Sequence, residues 1–229
     1  MIKEIKEKLS ETNDFIANHF WPLLIIFTPI FGVYEILKIV IYRFLWDNIF
    51  VSYTVVIFII NFIFNGLLVL MVIFVIDQIY HKKKFSFSDI KSFIIKYFVM
   101  VSFSVFIIGI LVQIGFLLLI VPGIYIMARL AIVPYLQSLD GIKLKESFQL
   151  SYELSKNNAW VIFICTSIIF IPILIFLLIQ RGVSNQLVYS LLSILLHLIY
   201  IAEVVLIYHF YIDIKENMRA FFSSKNNSE

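Results

Sequence analysis

Long apolar runs separated by short charged segments dominate the hydrophobic pattern of this chain. A helix needs about 20 apolar residues to cross the hydrocarbon core of a bilayer, and most of the runs reach that length. Six transmembrane helices are therefore predicted, at about residues 20–42, 49–80, 97–121, 124–139, 158–180 and 186–212. The pattern predicts an all-α, polytopic integral membrane protein with a single six-span membrane domain over residues 20–213.

The segment before the first span has the periodicity of an amphipathic helix. In residues 1–19 the apolar side chains of Ile5, Leu9 and Ile16 recur at near three-to-four spacing, opposite a charged face. Such a helix lies in the plane of a membrane interface, with its apolar face toward the lipid. The alternative is a frayed, solvated helical tail.

A second amphipathic segment lies between the fourth and fifth spans. Residues 142–156 carry charged side chains on one arc, whereas Ser147, Ser151 and Ser155 repeat every four residues on the other. A strip of small residues permits the close approach of another helix, so this segment is predicted to lie against the ends of the spans. Residues 214–229 are predicted to form a polar cytoplasmic tail.

Composition supports a membrane location. Hydrophobic residues make up 62% of the 229 residues and charged residues only 14%, compared with about 45–50% and 25% in soluble domains. The small net charge of +3 gives no reason to expect a nucleic-acid partner. Membrane lipids are the expected partners, with other membrane proteins as a further option, and the oligomeric state stays open.

Lysine and arginine are distributed unevenly between the loops on the two sides. Of the 18 basic residues, three lie in residues 1–19, five in 81–96, three in 140–157 and three in the tail, and these four segments are the predicted inner ones. The predicted outer loops hold only Arg43 and Arg181. Short loops rich in lysine and arginine stay in the cytoplasm. Both termini are therefore predicted to be cytoplasmic, and the plasma membrane is the predicted location.

Prolines are expected to break the helices in the middle of the chain. The residue before a proline avoids helical angles and glycine permits a reversal, so Pro122 and Gly123 are predicted to join the third and fourth spans with almost no loop. Pro134 is a further predicted break. The fourth span is short, which leaves open whether it crosses the membrane or is re-entrant.

Arg129 is the main candidate for a functional residue. It lies in a long apolar stretch, where an arginine costs roughly 2.5–3.5 kcal/mol on insertion scales. At 1.5 Å per residue it would lie roughly 10 Å from an outer end at Gly123. Glu35 would lie at a similar depth, so Glu35 rather than Glu203 is predicted to be the nearest carboxylate. A structural ion pair, an anion or lipid-headgroup site, and snorkelling of Arg129 to the surface remain alternatives.

Other polar residues fall inside the predicted spans. Lys38 follows Glu35 by three residues on the same face of the first span. Asn61 and Asn65 are four residues apart near the middle of the second span, where amides seek a neighbouring helix. His197 lies in the sixth span and is more typical of a packed histidine than of a ligand.

No catalytic set emerges from the sequence. The four histidines and the single cysteine do not have metal-ligand spacing, and there is no nucleophile elbow, phosphate loop or paired-carboxylate signature. We therefore expect no enzymatic activity, no cofactor and no metal.

The central stretch nevertheless resembles a known family. The resemblance rests on Val121–Tyr125, Arg129, Pro134, Gly141, Ser147 and Ser151–Trp160, and near the N-terminus on Asp14–His19, Pro29 and Glu35. These residues are similar to those of the YciC-type family of uncharacterised bacterial inner-membrane proteins. More distantly, they resemble the membrane domain that accompanies some glycerophosphodiester phosphodiesterases. The resemblance implies six spans and an inner-membrane location.

Two functions are compatible with these observations. The first is a non-enzymatic role in envelope or lipid homeostasis, with a lipid or anion site near Arg129. The alternative is a small transporter or channel component, favoured by broken helices and polar groups at membrane depth. A water-accessible cavity joining Asn61, Asn65, Arg129 and His197 would favour transport, whereas a dry bundle with a side-opening groove would favour lipid binding.

Overall fold

The computed structural model describes residues 1–45, 50–181 and 186–226, which form helices and no strand. The helices are α1 (Ile2–Leu45), α2 (Phe50–Tyr80), α3 (Phe87–Leu118), α4 (Ile120–Leu130), α5 (Val133–Ser138), α6 (Leu144–Leu154), α7 (Ala159–Arg181) and α8 (Gln186–Asn226). The predicted all-α class is therefore confirmed.

Three stretches in the described part of the chain are long and apolar enough to cross a membrane. They lie at Ile2–Ile41, Ile59–Tyr80 and Phe87–Leu118. The helices α7 and α8 cover the predicted fifth and sixth spans, and Ala159–Ile169 is a shorter apolar stretch within α7. The protein thus has several apolar helices of membrane-spanning length, while the number of six crossings stays a prediction.

Three prolines set the positions of the helix breaks. A proline lacks the N–H that would pair with the carbonyl four residues earlier, and its ring clashes with that carbonyl. Accordingly, α3 ends at Leu118, four residues before Pro122, and α4 ends at Leu130, four residues before Pro134. In α1 the helix is interrupted at His19, in the turn before Pro22.

The predicted turn at Pro122 and Gly123 is wrong for this reason. The connection is the single extended residue Leu119 (φ −170°, ψ 156°), and both predicted turn residues lie in the first turns of α4. A proline is tolerated there because its missing N–H has no partner in the helix. Gly123 has a packing role instead, because a Cβ added to Gly115 would lie 2.6 Å from its Cα. The two glycines bring α3 and α4 close together as a hairpin.

The remaining predicted spans compare with the helices as follows. Most of the third span, 97–121, lies within a helix that already begins at Phe87, where Ser86 and Asp89 form a capping box. The predicted break at Pro134 is confirmed, and it divides the fourth span, 124–139, into α4 and α5. The tail is helical as far as Asn226 and extends α8, and residues 227–229 lie outside the described part.

The N-terminal segment is helical, as predicted, and it packs against the protein. Its apolar residues Ile5, Leu9 and Ile16 pack on the hydrophobic core. The ammonium group of Lys8, which is only 6% exposed, lies 2.6 Å from the carboxylate of Asp213 in α8. The segment is therefore a docked helix rather than a free solvated tail.

Candidate functional site

Arg129 lies in the last turn of α4 and is almost completely buried, with 4% of its surface exposed. Its guanidinium group lies 3.9 Å from the ring centroid of Tyr152 in α6 and 6.0 Å from that of Tyr125. Its Nε has no hydrogen-bond acceptor, and no carboxylate of the described residues lies within salt-bridge distance. Aromatic faces thus stabilise a cation that lacks a counter-charge in the described part of the chain.

The main chain of Arg129 is held by the serine strip of α6. Its carbonyl oxygen accepts hydrogen bonds from the hydroxyls of Ser151 (2.9 Å) and Ser155 (3.1 Å). Carbonyls at the end of a helix lack main-chain donors, and the break before Pro134 creates such an end here. The predicted close approach of the serine strip to another helix is confirmed, since all three of its serines, including Ser147, are fully buried.

A buried glutamine extends this contact. Gln137 in α5 donates hydrogen bonds to Ser104 in α3 (2.7 Å) and to Ser147 in α6 (2.8 Å). It therefore joins three helices at one point. Sequence reasoning missed this residue, although a glutamine in an otherwise apolar segment was a signal that could have identified it.

A structural ion pair between Arg129 and Glu35, one of the three alternatives for Arg129, is not formed. The carboxylate of Glu35, which is 3% exposed, lies 2.8 Å from Nζ of Lys38 and accepts a 2.6 Å hydrogen bond from Ser193 in α8. The carboxylate of Glu35 is instead neutralised within its own helix by Lys38. That Glu35 lies nearer to Arg129 than Glu203 does stays a prediction. Glu203 is not within salt-bridge distance of Arg129 either.

The other candidate residues are only partly brought together. The Tyr34 hydroxyl in α1 donates a hydrogen bond to the amide oxygen of Asn61 in α2, as expected for an amide that seeks a neighbouring helix. Lys38 lies 4.7 Å from the ring centroid of Tyr34, so these residues adjoin the Glu35 pair. Asn65 is exposed, and the side chain of His197 lies outside the described part of the structure.

An apolar groove adjoins this second cluster. It has a volume of about 510 Å³ and opens between α1 and α2, where Pro29, Val33 and Ile63 are among its lining residues. The groove presents hydrocarbon and ring surfaces without a charged side chain. Such a surface is suited to an acyl chain.

Comparisons of the chain with known protein families, with curated proteins and with solved structures found no match. By its fold the protein is all-helical, and its long apolar helices are compatible with a membrane location.

Proposed function

We propose that this chain is a multi-pass, non-enzymatic plasma-membrane protein that holds an anion, such as the phosphate of a lipid headgroup, at Arg129. The observation that carries the proposal is the burial of this cation without a carboxylate partner in the described part of the structure. A buried charge is costly unless it is paired and hydrogen-bonded. A bound phosphate would supply both the charge and the acceptor that Nε lacks.

The surroundings of Arg129 are suited to an amphiphilic ligand. Tyr152, whose ring covers the guanidinium group, is 56% exposed, and Trp160 beside Tyr125 is 58% exposed. Tyrosine and tryptophan favour the headgroup level of a bilayer, because each has an apolar body and a polar tip. A lipid phosphate would reach Arg129 by displacing the ring of Tyr152.

Lipid binding is favoured over transport by the arrangement of the polar groups. Glu35, Lys38 and Asn61 are grouped around α1, whereas Arg129 contacts α6. The α1–α2 groove is lined by apolar side chains. Among the described residues the polar groups thus form two separate clusters, which supports lipid binding rather than a continuous polar path. The proposed physiological role is envelope or lipid homeostasis, and both termini are proposed to lie in the cytoplasm.

Native mass spectrometry of the protein released from mild detergent tests the proposal. The wild type is expected to retain a phospholipid such as phosphatidylglycerol, and Arg129→Met, which preserves the side-chain length, is expected to lose at least nine-tenths of that adduct. Arg129→Lys keeps the charge and should retain part of it. Lys6→Met removes an exposed lysine of α1, so it serves as the matched control.

The outcomes separate the alternatives. An adduct with the mass of inorganic phosphate rather than of a lipid would assign the same site to a free anion. Equal lipid adducts in the wild type and in Arg129→Met would overturn the proposal and leave Arg129 as a structural residue.

A further inference from the structure

A second groove, distinct from the surroundings of Arg129, lies between the α3–α4 hairpin and α8. It has a volume of about 370 Å³, and its lining is apolar except for Glu203 and the rings of Tyr135 and Tyr200. Glu203 is the single charged side chain among the lining residues. The groove therefore combines one acidic side chain with a large hydrocarbon surface.

The carboxylate of Glu203 has no hydrogen bond or ion pair within the described residues. A carboxylate beside apolar surface is costly unless a cation or proton neutralises it. Glu35, another carboxylate within a predicted span, differs from Glu203 because its charge is paired with that of Lys38. Glu203 is thus available to a ligand in a way that Glu35 is not.

The geometry of α4 prevents Arg129 from neutralising Glu203. Met127, Leu130 and Ala131 have the three-to-four spacing of one helix face, and all three line the groove. Arg129 follows Met127 by two residues, which is about 200° around the helix axis, so it belongs to the opposite face. The helix separates the unpaired cation from the unpaired carboxylate.

We propose that this groove binds a lipophilic monocation, such as a hydrophobic ammonium or phosphonium ion. The positive charge of the ligand lies against the carboxylate of Glu203, and its apolar body fills the hydrocarbon part of the groove. The ring of Tyr135 is fixed, because its hydroxyl donates a 2.7 Å hydrogen bond to the carbonyl of Val204. The rings of Tyr135 and Tyr200 can add cation–π attraction. A site of this volume is within the range of small-molecule pockets, and this assignment does not depend on the proposed role of Arg129.

Equilibrium dialysis of the purified protein in mild detergent tests the assignment with two probes. Tetraphenylphosphonium and tetraphenylborate have nearly the same shape and opposite charges. The wild type is expected to bind the cation at least tenfold more tightly than Glu203→Gln does, whereas the variant should bind the anion no more weakly than the wild type. Glu35→Gln, which changes a carboxylate that is already paired, should leave cation binding within twofold of the wild type.

A second pair of variants blocks the groove without changing Glu203. Gly109 lines the groove, and a Cβ added there would meet nothing within 4 Å, so Gly109→Leu should fold and reduce cation binding at least tenfold. Gly32 is an equally open helical glycine outside this groove, and Gly32→Leu is its control. Undiminished cation binding in both Glu203→Gln and Gly109→Leu would overturn the assignment, and so would equal binding of the two probes by the wild type. Loss of binding in both, with both controls unaffected, would support it.

Discussion

The hydroxyl group of Ser151 in α6 donates a hydrogen bond to the main-chain carbonyl of Arg129 in α4 over 2.9 Å. Ser155 donates to the same oxygen over 3.1 Å. The Ser155 hydroxyl also lies 2.7 Å from the main-chain carbonyl of Ser151, so its single proton is shared between two acceptors. Two hydroxyls of α6 thus lie on one carbonyl at a proline-induced helix end, and Ser151 is its main donor. This contact attaches α6 to the helix that carries the candidate anion-binding residue.

Removing both hydroxyls should cost more than the sum of removing each. Ser151→Ala or Ser155→Ala alone leaves one donor, and we expect each to lower the free energy of unfolding by about 0.5 kcal/mol. The double variant leaves the carbonyl without a side-chain donor, and the expected loss is about 2–3 kcal/mol, which exceeds the sum of the two single losses. Denaturant titration in mixed micelles measures these losses. Ser10→Ala, an exposed serine, is the control, and strict additivity would contradict the shared acceptor.

Alanine should have opposite effects at two glycines of α3. At Gly115 the added methyl group would lie 2.6 Å from the Cα of Gly123, so the hairpin must open, at an expected cost of about 1–3 kcal/mol. At Gly109 the methyl group meets nothing, and relief of the glycine penalty should stabilise the helix by about 0.5–1 kcal/mol. Thermal unfolding in detergent compares the two. The same sign for both variants would show that the close approach of α3 and α4 does not govern stability.

The ion pair between Lys8 and Asp213 should hold the N-terminal helix on α8. Lys8 also bonds to Glu11 over 2.7 Å, so Asp213→Asn removes only one of its two carboxylates. We expect a loss of about 1 kcal/mol, which corresponds to roughly fivefold faster local opening of residues 2–18. Hydrogen exchange followed by mass spectrometry measures this opening. Glu7→Gln, at an exposed position of the same helix, should have no effect. Unchanged exchange in Asp213→Asn would assign the docking to apolar contacts alone.

The capping box at the start of α3 should be specific to one of two nearby serines. The Asp89 carboxylate accepts hydrogen bonds from the main-chain N–H and the hydroxyl of Ser86, both over 2.8 Å. Ser86→Ala is expected to cost about 1 kcal/mol and to accelerate hydrogen exchange in the first turns of α3. Ser88→Ala tests the neighbouring serine, which has no cap role. Equal effects of the two variants would contradict the observed cap.

Much of the fold could be predicted from local patterns, because the cause of each feature lies within a few residues. Apolar runs of sufficient length predicted the helices, and the four-residue repeat of serines predicted the packing face of α6. The helices end at Leu118 and Leu130 because Pro122 and Pro134 lack the N–H that would pair with the carbonyls of these two residues. The helix therefore ends four residues before each proline rather than at the proline itself. Gly123 therefore lies within α4, and the extended residue before that helix is Leu119.

The candidate sites depended on long-range packing that no local pattern contains. Arg129 lies against Tyr152 and not against Glu35, because helix rotation decides which side chains meet, and depth alone does not. Glu203 faces an apolar groove and is not paired with Arg129, because α4 directs Arg129 to its other face. The sequence by itself determined where an apolar chain becomes helical and where proline ends a helix. Only the tertiary structure decided which charges are paired, since pairing depends on the rotation and contacts of helices that are distant in the chain.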